Sequence, residues 1–320
     1  MKNMINEEII QGRVFSCDLA EKVVKNEKSN DFGKNYINGK LNIAIDEDGL
    51  NVIPVDFVYV KPETAKGNPN RTYAALKQIM NGKTWETDGK DEALKVKVTA
   101  SLGVNDFVSR NDNKIVSAKV NSGSFVNIIS SLPSVESNER NKFTVDILIT
   151  KTTRIEADPE KHIDKDYMKI HGAVFDFRKT LMPVDLIVRN ENGIDSFEAM
   201  DISNSNPVFL KVWGQINCET KEIVKEEESS WGENCVTTFT SSSKEWVVTG
   251  VSALPYEFGD EAVLTVEELT KLTQDREIHL AEVQKNHEEW VNKNNLNNIT
   301  PKSIDDVPEV SISTATEFKF

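Results

Sequence analysis

Alternation of apolar and polar residues dominates the first 260 or so positions. In residues 94–108, Lys95, Lys97 and Thr99 fall on one face and Val96 and Val98 on the other, as in a half-buried strand. The same period of two is found in four further segments, which are 9–19, 36–60, 114–126 and 143–156. The pattern predicts a mainly β protein. Asp46 to Gly49 supplies turn chemistry inside 36–60 and makes that segment a hairpin.

Two stretches of the chain look like copies of one another. The first contains Gly39 two residues after an Ile, followed by Pro54-Val55-Asp56 at the start of the next strand. The second contains Gly172 two residues after an Ile, followed by Pro183-Val184-Asp185. The shared pattern predicts two related β units in tandem.

Glycine in the middle of a strand indicates how each unit is shaped. A mid-strand Gly loses side-chain packing and marks a bulge, a sharp bend or a close backbone approach. Bends of this kind let a small sheet close on itself. The apolar-x-Gly-x-apolar frame or a close variant recurs around Gly12, Gly214 and Gly250. We therefore predict two small curled barrels, with glycines in the edge strands of an ordinary sandwich as the alternative.

Breaks in the alternation divide the chain. Residues 72–80 have helical spacing and lie inside the first unit, which we place at 1–156. The acidic segment 157–166 is predicted to be a linker, and 167–258 the second unit. After residue 259 the period lengthens, and Thr265 to Glu268 forms a capping box for an amphipathic helix. The remaining segments are a long helix within 259–294 and a disordered acidic tail at 295–320.

Charge is distributed unevenly over the 320 residues. The net charge is −14, which argues against a simple basic coat for nucleic acid. Residues 257–320 hold 14 acidic against 6 basic side chains, whereas 61–119 hold 11 basic against 7 acidic. The three cysteines form no CxxC pair, and no segment is long and apolar enough to span a membrane. We expect a cytoplasmic protein, in the host cytoplasm if a phage encodes it.

Motifs for catalysis or metal binding are incomplete. Gly82-Lys83-Thr84 ends like a phosphate loop, but the required glycine five residues earlier is Lys77. Asp46 to Gly49 begins like a calcium loop, but the following positions do not supply ligands, and a plain hairpin turn is favoured. The four histidines form no HExxH motif. We expect neither an enzyme nor a bound cofactor or metal.

A surface for single-stranded nucleic acid is the remaining candidate. Such surfaces combine aromatic faces that stack on bases with cations that follow the phosphates. By spacing, Phe57 shares a face with Tyr59, and Phe175 with Phe177, whereas Trp246 is assigned to the core. Trp213 is a further aromatic candidate in the second unit. The predicted binding residues are Tyr59, Arg71, Tyr73, Lys83, Trp85, Lys95, Lys97, Phe107, Lys119, Phe125, Lys169, Phe177, Arg178 and Lys211.

Tandem curled units with mid-strand glycines, a basic and aromatic loop and an acidic tail together resemble the single-stranded DNA-binding proteins of bacteriophages and bacteria. That family is built on the OB-fold. Asp305-Asp306-Val307-Pro308 looks like the acidic tip of its tail, although this chain continues to Phe318 and Phe320. The resemblance implies single-stranded DNA as a partner in replication and recombination. It also implies recruitment of other proteins through Asp305, Asp306, Phe318 and Phe320.

Two interpretations of different kinds follow. In the first, the protein coats single-stranded DNA by base stacking and phosphate neutralisation, and helix 265–294 holds protomers together or docks a partner. In the second, it is a β-rich structural or interaction protein, such as a virion component or a phage inhibitor of a host factor. The second interpretation requires buried aromatics, an acidic contact surface and no affinity for nucleic acid.

Overall fold

A computed structural model describes residues 4–109, 112–158, 163–218, 220–227, 231, 235–257 and 264–297. Its first five strands form one closed barrel. The order around the barrel is β1-β2-β3-β5-β4 and back to β1, with β3 parallel to β5 and the other pairs antiparallel. These strands are β1 (Asn6–Val23), β2 (Asn35–Ala44), β3 (Val52–Val60), β4 (Lys95–Val108) and β5 (Ile115–Ile129).

Helix α1 (Arg71–Met80) and the single turn α2 (Trp85–Asp88) connect β3 to β4. Asn70 begins α1, because its side-chain oxygen accepts the backbone N–H of Thr72. Leu76 and Ile79 lie on the inner side of α1 and are buried in the barrel core. A five-stranded closed barrel in this order, with a helix between its third and fourth strands, is the OB-fold.

The second barrel repeats the order of the first. The strand order around this barrel is β6-β7-β8-β12-β9 and back to β6, with β8 parallel to β12. Helix α3 (Glu191–Ala199) again lies between the third and fourth strands, and the hairpin of β10 (Thr220–Glu227) and β11 (Cys235–Ser242) precedes the last. The barrel strands are β6 (Asn141–Ile155), β7 (Tyr167–Phe175), β8 (Leu181–Val188), β9 (Val208–Asn217) and β12 (Glu245–Val251).

Strand β6 belongs to the second barrel, and this moves the domain boundary from the position expected from the sequence. Residues 143–156 were expected to close the first unit, but β6 pairs along most of its length with β7 and β9. The second barrel therefore begins at Asn141, and residues 157–166 connect two of its strands. The alternation pattern identifies β6 as a strand and contains no information on which neighbours it pairs with.

Gly39 and Gly172 occupy corresponding positions in the two barrels. Gly39 lies in β2 opposite Leu19, and Gly172 lies in β7 opposite Ile149, so each is in the second strand of its barrel. A Cβ on Gly39 would overlap the carbonyl oxygen of Asp18, and a Cβ on Gly172 would overlap that of Leu148. Close backbone approach therefore explains both glycines, and the tandem relationship predicted from them is confirmed.

The two barrels are joined through β1 and β6. Asn6 to Ile10 of β1 pair with Asn141 to Val145 of β6, which makes the sheets of the two barrels continuous. At this junction Trp246 is fully buried, as predicted. Its indole N–H donates to Glu8 Oε1 of β1 at 2.8 Å. Burial raises the pKa of Glu8 to about 8, so its carboxyl group is uncharged at neutral pH. One hydrophobic core thus runs through both barrels.

The C-terminal helix α4 (Val266–Asn297) packs on both barrels. Arg276 donates to Asp106 Oδ2 at 2.6 Å and to Ser117 Oγ at 3.0 Å, and so ties α4 to the β4–β5 hairpin. The first turns of α4 pack on the second barrel, where Leu269 and Leu272 lie against a buried cluster of Leu148, Phe175 and Phe209. The capping box is confirmed, since Thr265 Oγ1 accepts the Glu268 N–H. No described helix is long and apolar enough to cross a membrane.

Candidate nucleic-acid interface

The pairing of β1 with β6 creates an outer sheet face that both barrels share. Across it, Phe125 on β5 lies opposite Thr99 on β4, which lies opposite Ile9 on β1. Ile9 in turn lies opposite Lys142 on β6. Two residues further along β6, Thr144 lies opposite Trp213 on β9. We call these outward residues, with Lys97 of β4, the bridging face.

Two exposed aromatic side chains mark the ends of the bridging face. Phe125 is 63% exposed and Trp213 is 40% exposed. A Cβ on Gly250 would overlap the indole ring of Trp213, so the ring lies directly against the sheet above that glycine. Four strand spacings of about 4.8 Å and an offset of about 7 Å separate Phe125 from Trp213, or roughly 20 Å in all.

Cations lie between these aromatic ends. Lys97 and Lys142 are exposed, and neither forms an ion pair with any residue in the described part of the chain. Lys95 lies two residues before Lys97 on the same side of β4 and is half-buried. One acid, Glu7, is exposed on this face opposite Thr144. The bridging face therefore carries a small positive excess on a protein whose net charge is −14.

The face of β2 and β3, which many OB-folds use for oligonucleotides, is electrically balanced here. Lys40 lies 3.9 Å from Asp56 on the neighbouring strand, and Asp18 lies opposite Lys40. The ring of Tyr59 packs against Tyr36 with centroids 4.8 Å apart.

Acids also accompany the cations at the edge of the β2–β3 face. The Tyr59 hydroxyl donates to Asp31, which also accepts from Lys61 at 2.8 Å. Hydrogen bonds from Lys61 and Lys34 hold the pKa of Asp31 well below its usual range, so it stays charged. Because acids match the cations on this side, the bridging face is the more positively charged of the two.

Three of the cations predicted to bind nucleic acid already contact other groups of the protein. Lys83 pairs with Glu92 at 2.5 Å, and Lys169 pairs with Asp185 at 3.1 Å. Lys119 is a correction to the predicted site. Its ammonium group donates to the Asp185 carbonyl at 2.6 Å and lies 4.7 Å from the centre of the Trp246 ring, between the barrels. Burial lowers the pKa of Lys119 to about 8, and its ammonium group is already engaged by Asp185 and the Trp246 ring.

The predicted aromatics divide between core and surface. Phe57 and Phe175 are buried, whereas Tyr59 and Phe177 are exposed, so neither pair shares a face as predicted. Tyr59 has a positive φ of 57° that turns the strand, and Phe177 lies beyond the end of β7 in the turn to β8. Arg178 lies over the Phe177 ring at 5.2 Å.

The other predicted residues lie away from the centre of the bridging face. Tyr73 is half-buried and hydrogen-bonded to Glu21, and Trp85 packs against Phe15. Phe107 is exposed at the end of β4, and Arg71 is exposed at the start of α1. Lys211 lies on the outward side of β9 opposite Asp146, two residues before Trp213. The structure therefore brings together Lys95, Lys97 and Phe125, with Lys211 near the far end.

Lys142 was missed by sequence reasoning. Its alternation with Phe143 shows that it points outward, but only the β1–β6 pairing places it between the two barrels. The predicted partner-binding residues Asp305, Asp306, Phe318 and Phe320 lie outside the described residues. In the described segments, no three His, Cys, Asp or Glu side chains are grouped so as to hold a metal ion.

The fold and this surface define a two-barrel β protein with an aromatic and cationic face across its junction. The chain belongs to the YorF family, whose model, described as YorF, matches residues 6–286. No curated protein sequence matches it.

Two crystal structures of the single-stranded DNA-binding protein from Thermus aquaticus resemble the chain, each with a TM-score of 0.44 and 10% identity. A deletion mutant is matched over 82% of this chain and 100% of its own, and the wild type over 80% and 98%. The OB-fold assignment rests on the strand order described above.

Proposed function

We propose that the protein binds single-stranded DNA across the bridging face. The observation that carries this proposal is the placement of Phe125, Lys97, Lys142 and Trp213 on one continuous sheet surface contributed by both barrels. Exposed aromatic rings with intervening unpaired cations are the combination that holds single strands without reading sequence. The balanced charges of the β2–β3 face make it the weaker candidate.

The chemistry of the bridging face favours single strands over duplex. Bases in a duplex are stacked on each other, so their faces are unavailable to Phe125 and Trp213. An extended single strand can place one base on each ring, with its phosphates near Lys97 and Lys142. Each stacked base is worth about 1–3 kcal/mol, and the phosphate contacts make the affinity dependent on salt.

In the cell, such binding would coat and protect single-stranded DNA exposed during replication or recombination. Recruitment of other proteins through Asp305, Asp306, Phe318 and Phe320, self-association through α4 and an origin in a phage remain predictions from the sequence. The second interpretation, an interaction protein without nucleic-acid affinity, is the conclusion if the binding experiments fail.

Replacing both lysines tests the proposed surface. In the double variant Lys97→Gln/Lys142→Gln, we expect weaker binding to single-stranded DNA because two phosphate contacts are lost. The plot of log K against log salt should become shallower by about 1.4, since each contact to a single strand contributes about 0.7. The measurement is fluorescence anisotropy of a labelled oligonucleotide at several salt concentrations.

The matched control is Lys271→Gln/Lys285→Gln, which removes two exposed lysines from α4. It changes net charge equally but lies outside the bridging face. If both double variants reduce the slope by the same amount, the bridging face is not the site.

A further inference from the structure

Three cations converge on one carboxylate beside the bridging face. Arg13 Nη1 lies 3.1 Å from both oxygens of Glu47. Arg140 Nη1 lies 3.3 Å from Oε1, and Lys90 Nζ lies 2.9 Å from Oε2. Hydrogen bonds from Lys90, Arg13 and Arg140 lower the pKa of Glu47 to about 2, so the carboxylate stays charged. The four side chains, which we call the Glu47 cluster, therefore carry a formal charge of +2.

The two arginines of the Glu47 cluster are much more buried than its carboxylate. The side chains of Arg13 and Arg140 are only 13% and 12% exposed, but that of Glu47 is 50% exposed. Glu47 lies in the turn between β2 and β3, where Gly49 has a φ of 70°. Its side chain therefore belongs to a turn and not to either strand. The guanidinium groups stay in place, because Arg13 is within β1 and Arg140 also donates to the Ile45 carbonyl.

The two guanidinium groups also have unused hydrogen-bonding capacity. The Nε atoms of Arg13 and Arg140 are buried and have no hydrogen-bond partner among the described atoms. An arginine offers five N–H donors in a fork that suits the oxygens of a phosphate. A single carboxylate provides only two acceptor atoms to three cationic groups. Glu47 alone therefore leaves donors of the two arginines unsatisfied.

The position of the cluster connects it to the bridging face. Arg13 follows Ile9 and Gln11 on the outward side of β1, where it lies opposite Lys95. Arg140 immediately precedes β6 and is two residues before Lys142 in the sequence. A strand of DNA lying over Lys142 can therefore continue to the cluster.

We propose that the Glu47 cluster is a phosphate-binding site in which the Glu47 carboxylate stands in for a phosphate group until nucleic acid displaces it. This inference rests on the proposed function and extends its DNA path beyond the bridging face. Glu47 acts as a built-in competitor, because each bound phosphate must replace its contacts with Arg13, Arg140 and Lys90. Removing the carboxylate should therefore strengthen phosphate binding.

The test compares Glu47→Gln with Glu92→Gln. Each variant removes one exposed acid that pairs with a lysine, so net charge changes equally. We expect Glu47→Gln to bind single-stranded DNA about three- to tenfold more tightly than Glu92→Gln, with a steeper salt dependence. It should also bind inorganic phosphate, detected by calorimetry, more tightly than Glu92→Gln does. Equal behaviour of the two variants in both measurements would overturn the proposal.

A second pair of variants covers the case in which Glu47→Gln fails to fold. Lys90→Gln should weaken DNA binding of the otherwise intact protein about threefold or more, whereas Lys83→Gln, which releases Glu92, should not. Oligonucleotides with and without a 5′-phosphate distinguish the source of the ligand. If Lys90→Gln weakens the binding of both oligonucleotides equally, the cluster binds phosphodiesters within the strand. If it weakens only the binding of the 5′-phosphorylated oligonucleotide, the cluster binds a terminal phosphate.

Failure of this inference can be told apart from failure of the proposed function. If the protein binds single-stranded DNA and loses affinity in Lys97→Gln/Lys142→Gln, but Glu47→Gln behaves as Glu92→Gln, only the cluster proposal falls. If no variant binds DNA but Glu47→Gln takes up inorganic phosphate, the cluster is an anion site and the proposed function falls.

Discussion

Replacing Trp213 with alanine is expected to weaken binding to single-stranded DNA by about tenfold to a hundredfold. The indole lies on the sheet above Gly250 and is 40% exposed, so it offers one face to a base. Loss of one stacked base costs about 1–3 kcal/mol, and tenfold in affinity corresponds to about 1.4 kcal/mol. Phe125→Ala should act in the same way. Since the two rings are roughly 20 Å apart, their effects should add in the double variant.

Trp290→Ala provides the matched control. Trp290 is 56% exposed on α4, where it stacks on His287, and it lies off the bridging face. Anisotropy titrations at one salt concentration should show unchanged affinity for this variant. A loss for Trp290→Ala as large as that for Trp213→Ala would mean that exposed tryptophan in general, and not the bridging face, contributes to binding.

Replacing Gly39 with alanine is expected to destabilise the first barrel by about 3 kcal/mol or more. The added Cβ would overlap the Asp18 carbonyl oxygen, and Gly39 has a φ of 141°, which side-chain-bearing residues rarely adopt. Overpacking alone costs about 1–3 kcal/mol, and backbone strain adds to it. Urea denaturation, followed by far-UV circular dichroism, measures the loss as a shift of the midpoint.

Gly33→Ala separates the two contributions to this loss. Gly33 also has a positive φ, of 78°, but nothing lies within 4 Å of an added Cβ. We expect a loss of only about 1 kcal/mol from backbone strain. If Gly39→Ala is no more destabilising than Gly33→Ala, the close approach of β2 to β1 is not what requires glycine.

The sequence predicted the barrels because their determinants are local. Alternation marks each strand, and a glycine where two backbones approach, such as Gly39 or Gly172, leaves a visible gap in that alternation. The capping box at Thr265 and Glu268 is likewise read from adjacent residues. The assignment of β6 required knowledge of pairing, which depends on contacts between distant segments.

The site was harder to predict from the sequence, because it too depends on contacts between distant segments. Outward orientation of Lys95 and Lys97 follows from their alternation with Val96 and Val98, both buried. Burial of Lys119 depends on Asp185 and Trp246, which are more than 60 residues away in sequence. The bridging face itself exists only because β1 pairs with β6. No local pattern carries that information.

The most direct test of the central claim is the binding of the unaltered protein to DNA. A labelled oligonucleotide of about thirty bases, single-stranded or as a duplex, is titrated by fluorescence anisotropy at several salt concentrations. We predict tight binding to the single strand, weaker binding to the duplex and a linear fall of log K with log salt. No binding to the single strand at low salt, or equal affinity for both forms, would contradict the account.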